Sequence, residues 1–236
     1  MSGTPLFWAA RGGHEGVVRA LLERKDINLH KPDANGSTPL SSAAFNGHEG
    51  VVGILLGRDD INPNHPGYHG QTPLWLATYY GSGGVVKLLL GRDDINPDKP
   101  NEDGETPLLR AARNGYTGVV QTLLEQDGVN PNKPDLFNRT PIWWAACNGN
   151  EGAVRALLGR GDISPDEPDW GGQTPLSRAA EHGHEGVAKL LLGRSDVNPD
   201  MPDVDGHPPL WWATENGQAG VIALLQPQSF STNDAA

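Results

Sequence analysis

His14-Glu15 and His48-Glu49 are the residues of this chain most suggestive of catalysis, because a His-Glu pair opens the helical zinc motif completed by a second His one turn later. Val18 and Val52 stand where that second His belongs, so neither pair presents two ligands on one helix face. His182 and His184 sit two residues apart, a spacing that does not converge on a helix, and they fit a capping or surface role. Gly81-Ser82-Gly83-Gly84 has the glycines of a phosphate-cradling loop without the Lys-Ser/Thr that grips the phosphates. Cys147 has no His within sequence reach to activate its thiol. Asp59-Asp60, Asp93-Asp94, Asp162 and Asp196 recur beside Arg58, Arg92, Arg160 and Arg194. A metal ladder would use such carboxylates, but loop hydrogen bonds and weak surface ion pairs are the favoured account of them. An active site is unique, whereas these groups repeat. No catalytic constellation, metal or cofactor is expected.

The repetition itself points to the elements underneath. Thr-Pro-Leu begins at Thr4, Thr38, Thr72, Thr106 and Thr174, with Thr140-Pro141-Ile142 and Pro208-Pro209-Leu210 completing a series at a constant 34-residue interval. Gly13, Gly47, Gly81, Gly115, Gly149, Gly183 and Gly217 form a second ladder in the same register. Gly16, Gly50, Gly84, Gly118, Gly152, Gly186 and Gly220 form a third. Three coincident registers mean one structural unit used seven times.

The second unit shows what each position does. The Thr38 hydroxyl suits a helix N-cap, and Pro39 suits the first helical position, where its missing N–H costs nothing. Leu40, Ala43 and Ala44 make an apolar stripe at i, i+3, i+4 spacing. Gly47 ends this helix, and Val51, Val52, Leu55 and Leu56 give a second helix its apolar face. Asp60-Ile61-Asn62-Pro63-Asn64-His65-Pro66 is not helical, and His69-Gly70 marks a tight turn before the next Thr. Two proline columns, one through Pro32 and Pro66 and one through Pro63 and Pro97, stiffen these loops and block strand pairing at their edges. A single unit cannot hide its own stripe, so units must stack into an elongated array. A tetratricopeptide array shares the 34-residue period but has no place for the loop prolines.

The run Gly-x-Thr-Pro-Leu-x-x-Ala-Ala-x-x-Gly-His followed by Val-Val-x-x-Leu-Leu, fullest at Gly36 to Leu56 and Gly172 to Leu192, resembles the ankyrin repeat. The resemblance covers residue 3 to about residue 226. It implies an all-α fold: an ankyrin-repeat solenoid of seven stacked helix-turn-helix units with projecting Pro-rich hairpin-like loops, occupying residues 1–226, with a flexible tail over 227–236. Two features depart from the family pattern. The unit has one residue more than the usual repeat, placed in the Pro-rich loop. The His that often follows Thr-Pro-Leu is replaced by Phe7, Ser41, Trp75, Leu109, Trp143, Ser177 and Trp211, so its hydrogen-bond network does not carry over. The His-Glu-Gly-Val-Val and Asp-Ile-Asn-Pro wording is similar to ankyrin arrays of filamentous fungi, which implies an alternative role as a scaffold or spacer segment of a larger immune-type NTPase protein.

Internal comparison separates packing from recognition. The stripe at positions 40, 43 and 44 is nearly uniform from unit to unit, while the opposite set at 42, 45 and 46 varies freely. In the resembled family the variable columns line the concave face that grips partners. Exposed Tyr, Trp and Arg there are the types that dominate interface energies. A protein or peptide partner is therefore expected on Phe45, Tyr68, Leu76, Tyr79, Tyr80, Arg110, Arg113, Phe137, Arg139, Trp144, Trp170 and Arg178, centred on units 3 to 5. The arginines predict an acidic element in that partner. The column after Thr-Pro-Leu alternates large and small with a 68-residue superperiod, which predicts that rings of odd units lie over small residues of even units.

Composition narrows the class further. A net charge of -11 disfavours nucleic acid and anionic membranes as partners. An apolar fraction of 36% with 31 glycines and 20 prolines suits short elements joined by many turns. No apolar run reaches membrane-span length, and Met1-Ser2-Gly3-Thr4-Pro5 does not open a secretory leader, so the sequons at Asn35 and Asn138 read as chance. One cysteine fits a reducing compartment. The expectation is a non-enzymatic, cytoplasmic, monomeric interaction module.

Overall fold

The computed structural model describes residues 3–226 apart from residue 25, so the tail over 227–236 lies outside the described residues. Among the described residues fourteen α-helices follow in pairs. The first three pairs are α1 (Pro5–Arg11) with α2 (Glu15–Leu22), α3 (Pro39–Phe45) with α4 (Glu49–Leu56), and α5 (Pro73–Tyr79) with α6 (Gly83–Leu90). The next two are α7 (Pro107–Asn114) with α8 (Thr117–Leu124), and α9 (Pro141–Cys147) with α10 (Glu151–Leu158). The last two are α11 (Pro175–His182) with α12 (Glu185–Leu192), and α13 (Pro209–Glu215) with α14 (Ala219–Leu225). No strand occurs among the described residues. First helices pack on first helices, second on second, and each pair packs on itself.

Local chemistry fixes each boundary. The Thr38 hydroxyl accepts the Ser41 amide at 3.2 Å, and Thr4, Thr72, Thr106, Thr140 and Thr174 cap their helices the same way. Pro208 replaces the Thr in unit 7 and leaves α13 without a side-chain cap. Gly47 follows α3 at φ 72°, a conformation that an L side chain resists, and all seven members of its ladder share it. The stripe Leu40, Ala43, Ala44 is buried with Val51, Val52 and Leu55, and most of the equivalent residues of the other units join it in one continuous core. The alanines let the first helices approach closely.

Between units the chain closes a tight finger. The Asp33 amide donates to the Ser37 carbonyl, and the same closure recurs from Gly67 to Gln71, Asn101 to Glu105, Asp135 to Arg139, Asp169 to Gln173 and Asp203 to His207. Adjoining fingers are tied by single backbone bonds, such as Trp170 N–H to Phe137 O at 3.2 Å and Val204 N–H to Gly171 O at 3.1 Å. Asn138 stands in the finger-tip glycine column at φ 61°, which Asn tolerates better than most residues. Its amide donates to the Pro168 carbonyl at 2.7 Å, giving this sequon residue a structural task.

The ladders that imitated chemistry hold the stack together. His48 donates through Nε2 to the Arg11 carbonyl at 2.9 Å, and His184 to the Cys147 carbonyl at 3.1 Å, each joining a second helix to the end of the preceding first helix. Asn150 and Gln218 do the same in their units. Arg92, Arg160 and Arg194 form bidentate pairs with Asp94, Asp162 and Asp196 and reach back to the carbonyls of Leu56, Leu124 and Leu158. A guanidinium there satisfies the orphan carbonyls at a helix C-terminus and meets the negative end of its dipole.

One loop column contains a built-in defect. The Asn64 side chain donates to the Asp94 carbonyl and accepts the Asn96 amide; Asn132 repeats this with Asp162 and Ser164. Asp166 occupies the same position and accepts the Asn198 amide, but its other oxygen is buried without a partner. Burial raises the Asp166 pKa above its ordinary 3.8, with the Asn198 bond opposing and the nearby Asp196 charge adding. Because the folded-state pKa is raised, ionised Asp166 destabilises the fold above that pKa, and the cost disappears as pH falls towards 3.8. Asp166→Asn is therefore expected to add about 1 kcal/mol at neutral pH by supplying the missing donor. The gain should shrink in acid. Urea unfolding of both forms at pH 7 and pH 4 checks it, and equal stability at pH 7 would contradict the assignment.

Candidate partner-binding face

The fingers and the C-terminal turns of the first helices share one side of the stack, and most residues expected to recognise a partner lie there. Phe45, Tyr79 and Tyr80 are exposed and touch in series, with ring centroids 4.6 Å apart for Phe45–Tyr80 and 4.7 Å for Tyr79–Tyr80. Trp75 continues the line beneath Tyr79 at 5.4 Å and is itself buried. The result is an aromatic ridge crossing units 2 and 3. Burial, and secondarily Tyr79, raises the Tyr80 pKa, so its phenol stays protonated and can both donate and accept. A second group sits on the finger tips, where Phe137 and Trp170 meet at 5.9 Å and Trp170 is 71% exposed. Tyr68 is exposed on an earlier tip, against His69.

Position 42 of the helix register does not behave as the wheel predicts. Leu76 and Trp144 are buried, at 8% and 9% exposure, where the helical register placed them on an open face. The cause in these units is the finger, which folds back over the first turn of the first helix and covers the side opposite the packing stripe, whereas Trp8 at the same position of unit 1 is 41% exposed. Only positions 45 and 46, nearly a turn further on, clear it. The Trp144 indole N–H donates to Asp135 Oδ2 at 3.0 Å, and Trp212 donates to Asp203 Oδ2 at 3.0 Å. In both cases the turn aspartate uses its other oxygen to accept two amides of its own finger.

The arginines are also committed. Buried Glu105 accepts from Arg110 and, at 2.8 Å, from Arg113. Arg139 pairs with buried Asp135 at 2.8 Å, and Arg178 with Glu181 and Gln173. Each guanidinium also lies over an indole: Arg110 over Trp75 at 4.9 Å, Arg113 over Trp144 at 3.8 Å, Arg139 over Trp144 at 4.3 Å and Arg178 over Trp143 at 4.9 Å. Every arginine of the positive strip expected to await an acidic partner is already paired inside the chain, with Arg110 and Arg113 sharing one carboxylate. Acidic finger residues five places and one place before the Thr cap were the signal for this pairing, and sequence reasoning did not use them.

Small residues at unit 2 leave something the sequence reading missed. Ser41 and Ser42 are both buried, and beside them opens a cavity of about 370 Å³ lined by Phe7, Asp33, Phe45, Tyr68 and Leu76. It adjoins the Phe45 end of the aromatic ridge.

A family profile described as ankyrin repeats (3 copies) matches residues 2–67, 59–135, 127–203 and 144–234. The chain belongs to the ankyrin-repeat family. The human ASB11 ankyrin repeat domain is 25% identical, with a TM-score of 0.82 over 95% of this chain and 99% of that one. The ankyrin repeat domain of Bcl-3, described as a unique member of the IkappaB protein family, is 24% identical and superposes with a TM-score of 0.79 over 93% of this chain and 98% of its own, showing the shared fold. No curated protein sequence matched. Ankyrin-repeat domains are generally protein-interaction modules and typically not enzymes. No helix among the described residues is long and apolar enough to cross a membrane.

Proposed function

We propose that this ankyrin array captures a protein or peptide partner on its concave, finger-side face, acting as a single chain in the cytoplasm. The observation that carries the reading is the uncovered ridge of Phe45, Tyr79 and Tyr80. Rings of this size bury substantial apolar area on contact, and Tyr adds a hydrogen bond at little entropic cost. A spacer segment of a larger fungal protein would have no use for them. The arginines already have carboxylates, so the proposed partner meets the face through apolar and amide contacts, without a required acidic element.

The test is a random-peptide library selected on the immobilised chain, with enriched peptides remeasured on Tyr79→Ala/Tyr80→Ala. These rings are half out of the core, so the variant keeps its fold. Affinity should fall on the order of 30-fold, as expected when interface hot spots worth about 2 kcal/mol are lost. Peptides that bind the variant as tightly as the parent chain would remove the ridge from the proposal.

A further inference from the structure

The chain displays twice what its unit 2 cavity is shaped to hold. In units 5 and 7 the turn aspartate is bonded to the indole N–H of the Trp nine residues later, Asp135 to Trp144 and Asp203 to Trp212, both at 3.0 Å. In unit 2 the turn aspartate is Asp33, and nine residues later stands Ser42. Asp33 Oδ1 accepts the Asn35 and Ser37 amides at 2.9 Å, reproducing the turn of the other two fingers. Asp33 Oδ2, the oxygen that elsewhere holds the indole, makes no hydrogen bond among the described residues. Where the ring would lie there is instead the cavity of about 370 Å³, with Asp33, Ser41 and Ser42 on its walls and Phe7, Phe45 and Leu76 as its apolar lining.

We infer that this cavity receives a tryptophan side chain from the bound partner, its indole N–H donated to Asp33 Oδ2 and its ring seated among Phe7, Phe45 and Leu76. The inference rests on the concave-face reading above and names the residue type that face selects. The apolar walls favour a flat ring, and edge-to-face contact with Phe7 and Phe45 is the geometry aromatic pairs prefer. The carboxylate adds a requirement that phenylalanine cannot meet, since an acceptor left unpaired on burial discriminates strongly against a ligand without the donor. Arg11 also borders the cavity but lies over the Trp8 ring at 5.5 Å, leaving Asp33 to a ligand.

Capped amino acids test the pocket directly. Amide-correlation NMR spectra of the whole chain are recorded against N-acetyl-tryptophanamide, N-acetyl-phenylalaninamide and the capped arginine. The capped tryptophan should give saturable shifts at millimolar concentration confined to the Asp33–Ser37 turn, Phe45 and Leu76, and should bind on the order of tenfold more tightly than capped phenylalanine. Asp33→Asn keeps the turn, because Asn101 accepts the Asp103 and Glu105 amides in the same role, and it should erase the preference for tryptophan. Ser42→Trp should fill the cavity with the chain's own ring and abolish the shifts. Non-saturating or scattered shifts, equal binding of the two aromatic probes, tighter binding of the arginine probe, or undiminished binding to a folded Ser42→Trp would each overturn the inference. Should Ser42→Trp not fold, Asp33→Asn and the phenylalanine comparison still decide. Because the probes report on the pocket alone, a negative result leaves the aromatic ridge to be judged by the Tyr79 and Tyr80 variant.

Discussion

Glu105→Gln is expected to cost about 3 kcal/mol of stability, because it withdraws the single carboxylate that two half-buried guanidiniums share. Glu105 is 4% exposed, and its side chain receives Arg110 on one oxygen and Arg113 on the other. Its backbone is held as well: the carbonyl accepts the Trp75 indole at 3.1 Å and the amide donates to Asn101 at 2.9 Å. The neutral amide leaves the turn intact and isolates the charge effect. One cation then lies in a low-dielectric corner against an N–H₂ group. Adding Arg110→Met should recover part of the loss, since a buried ion pair replaced by apolar groups is often neutral in stability. The surface pair of Arg58 and Asp60 serves as the control, and Asp60→Asn should change little. Urea unfolding with amide exchange at α5 and α7 provides the readout. A Glu105→Gln effect no larger than the Asp60→Asn effect would show that Arg110 and Arg113 are adequately solvated without it.

The same corner shows what was legible in the sequence and what was not. The period of 34, the Thr caps, the left-handed glycines and the Leu-Ala-Ala stripe each act within one unit or between equivalent positions. Local rules and repetition were enough to derive the paired helices and their stacking. The recognition face was only half legible, because exposure at position 42 depends on where the finger goes. A helical wheel treats the side opposite the core as open; here Asp135, Glu105 and Gln173 reach over from the finger and enclose Trp144, Arg110 and Arg178. Phe45, Tyr79 and Tyr80 escaped because no finger extends to the helix C-terminus. The unit 2 cavity was illegible for a related reason. Two serines in a column of large residues look like tolerance of variation until their neighbours Phe7 and Leu76 are seen to stay at full height around them.

Trp143→Ala should be the most damaging single truncation in the array, at about 3–5 kcal/mol. The ring is 1% exposed and packs on Leu109 of the preceding unit and on Trp144 beside it. Its indole donates to the Gln173 carbonyl at 3.0 Å, and Arg178 of the following unit lies over its face at 4.9 Å. Trp75 repeats the arrangement 68 residues earlier, with its indole bonded to the Glu105 carbonyl and Arg110 lying over it at 4.9 Å. The large-small alternation thus has a physical meaning that differs in part from simple interdigitation. The rings of units 3 and 5 are buried as expected, but what lies over each is an arginine of the next even unit, held by a carboxylate or side-chain amide, while a finger carbonyl accepts the indole N–H. Deleting the ring removes packing to both neighbours, strands the Gln173 carbonyl and leaves Arg178 over a void. Trp211 occupies the same column in the last unit, where no further unit covers it, and is 37% exposed. Its truncation to Ala should cost well under half as much. Because stability in a stacked array divides into unit and interface contributions, the loss at Trp143 should speed amide exchange in α7, α9 and α11 before it reaches α1 to α3. Equal costs for Trp143→Ala and Trp211→Ala would mean that the ring contributes mainly within its own helix, and the inter-unit bracket would have to be abandoned.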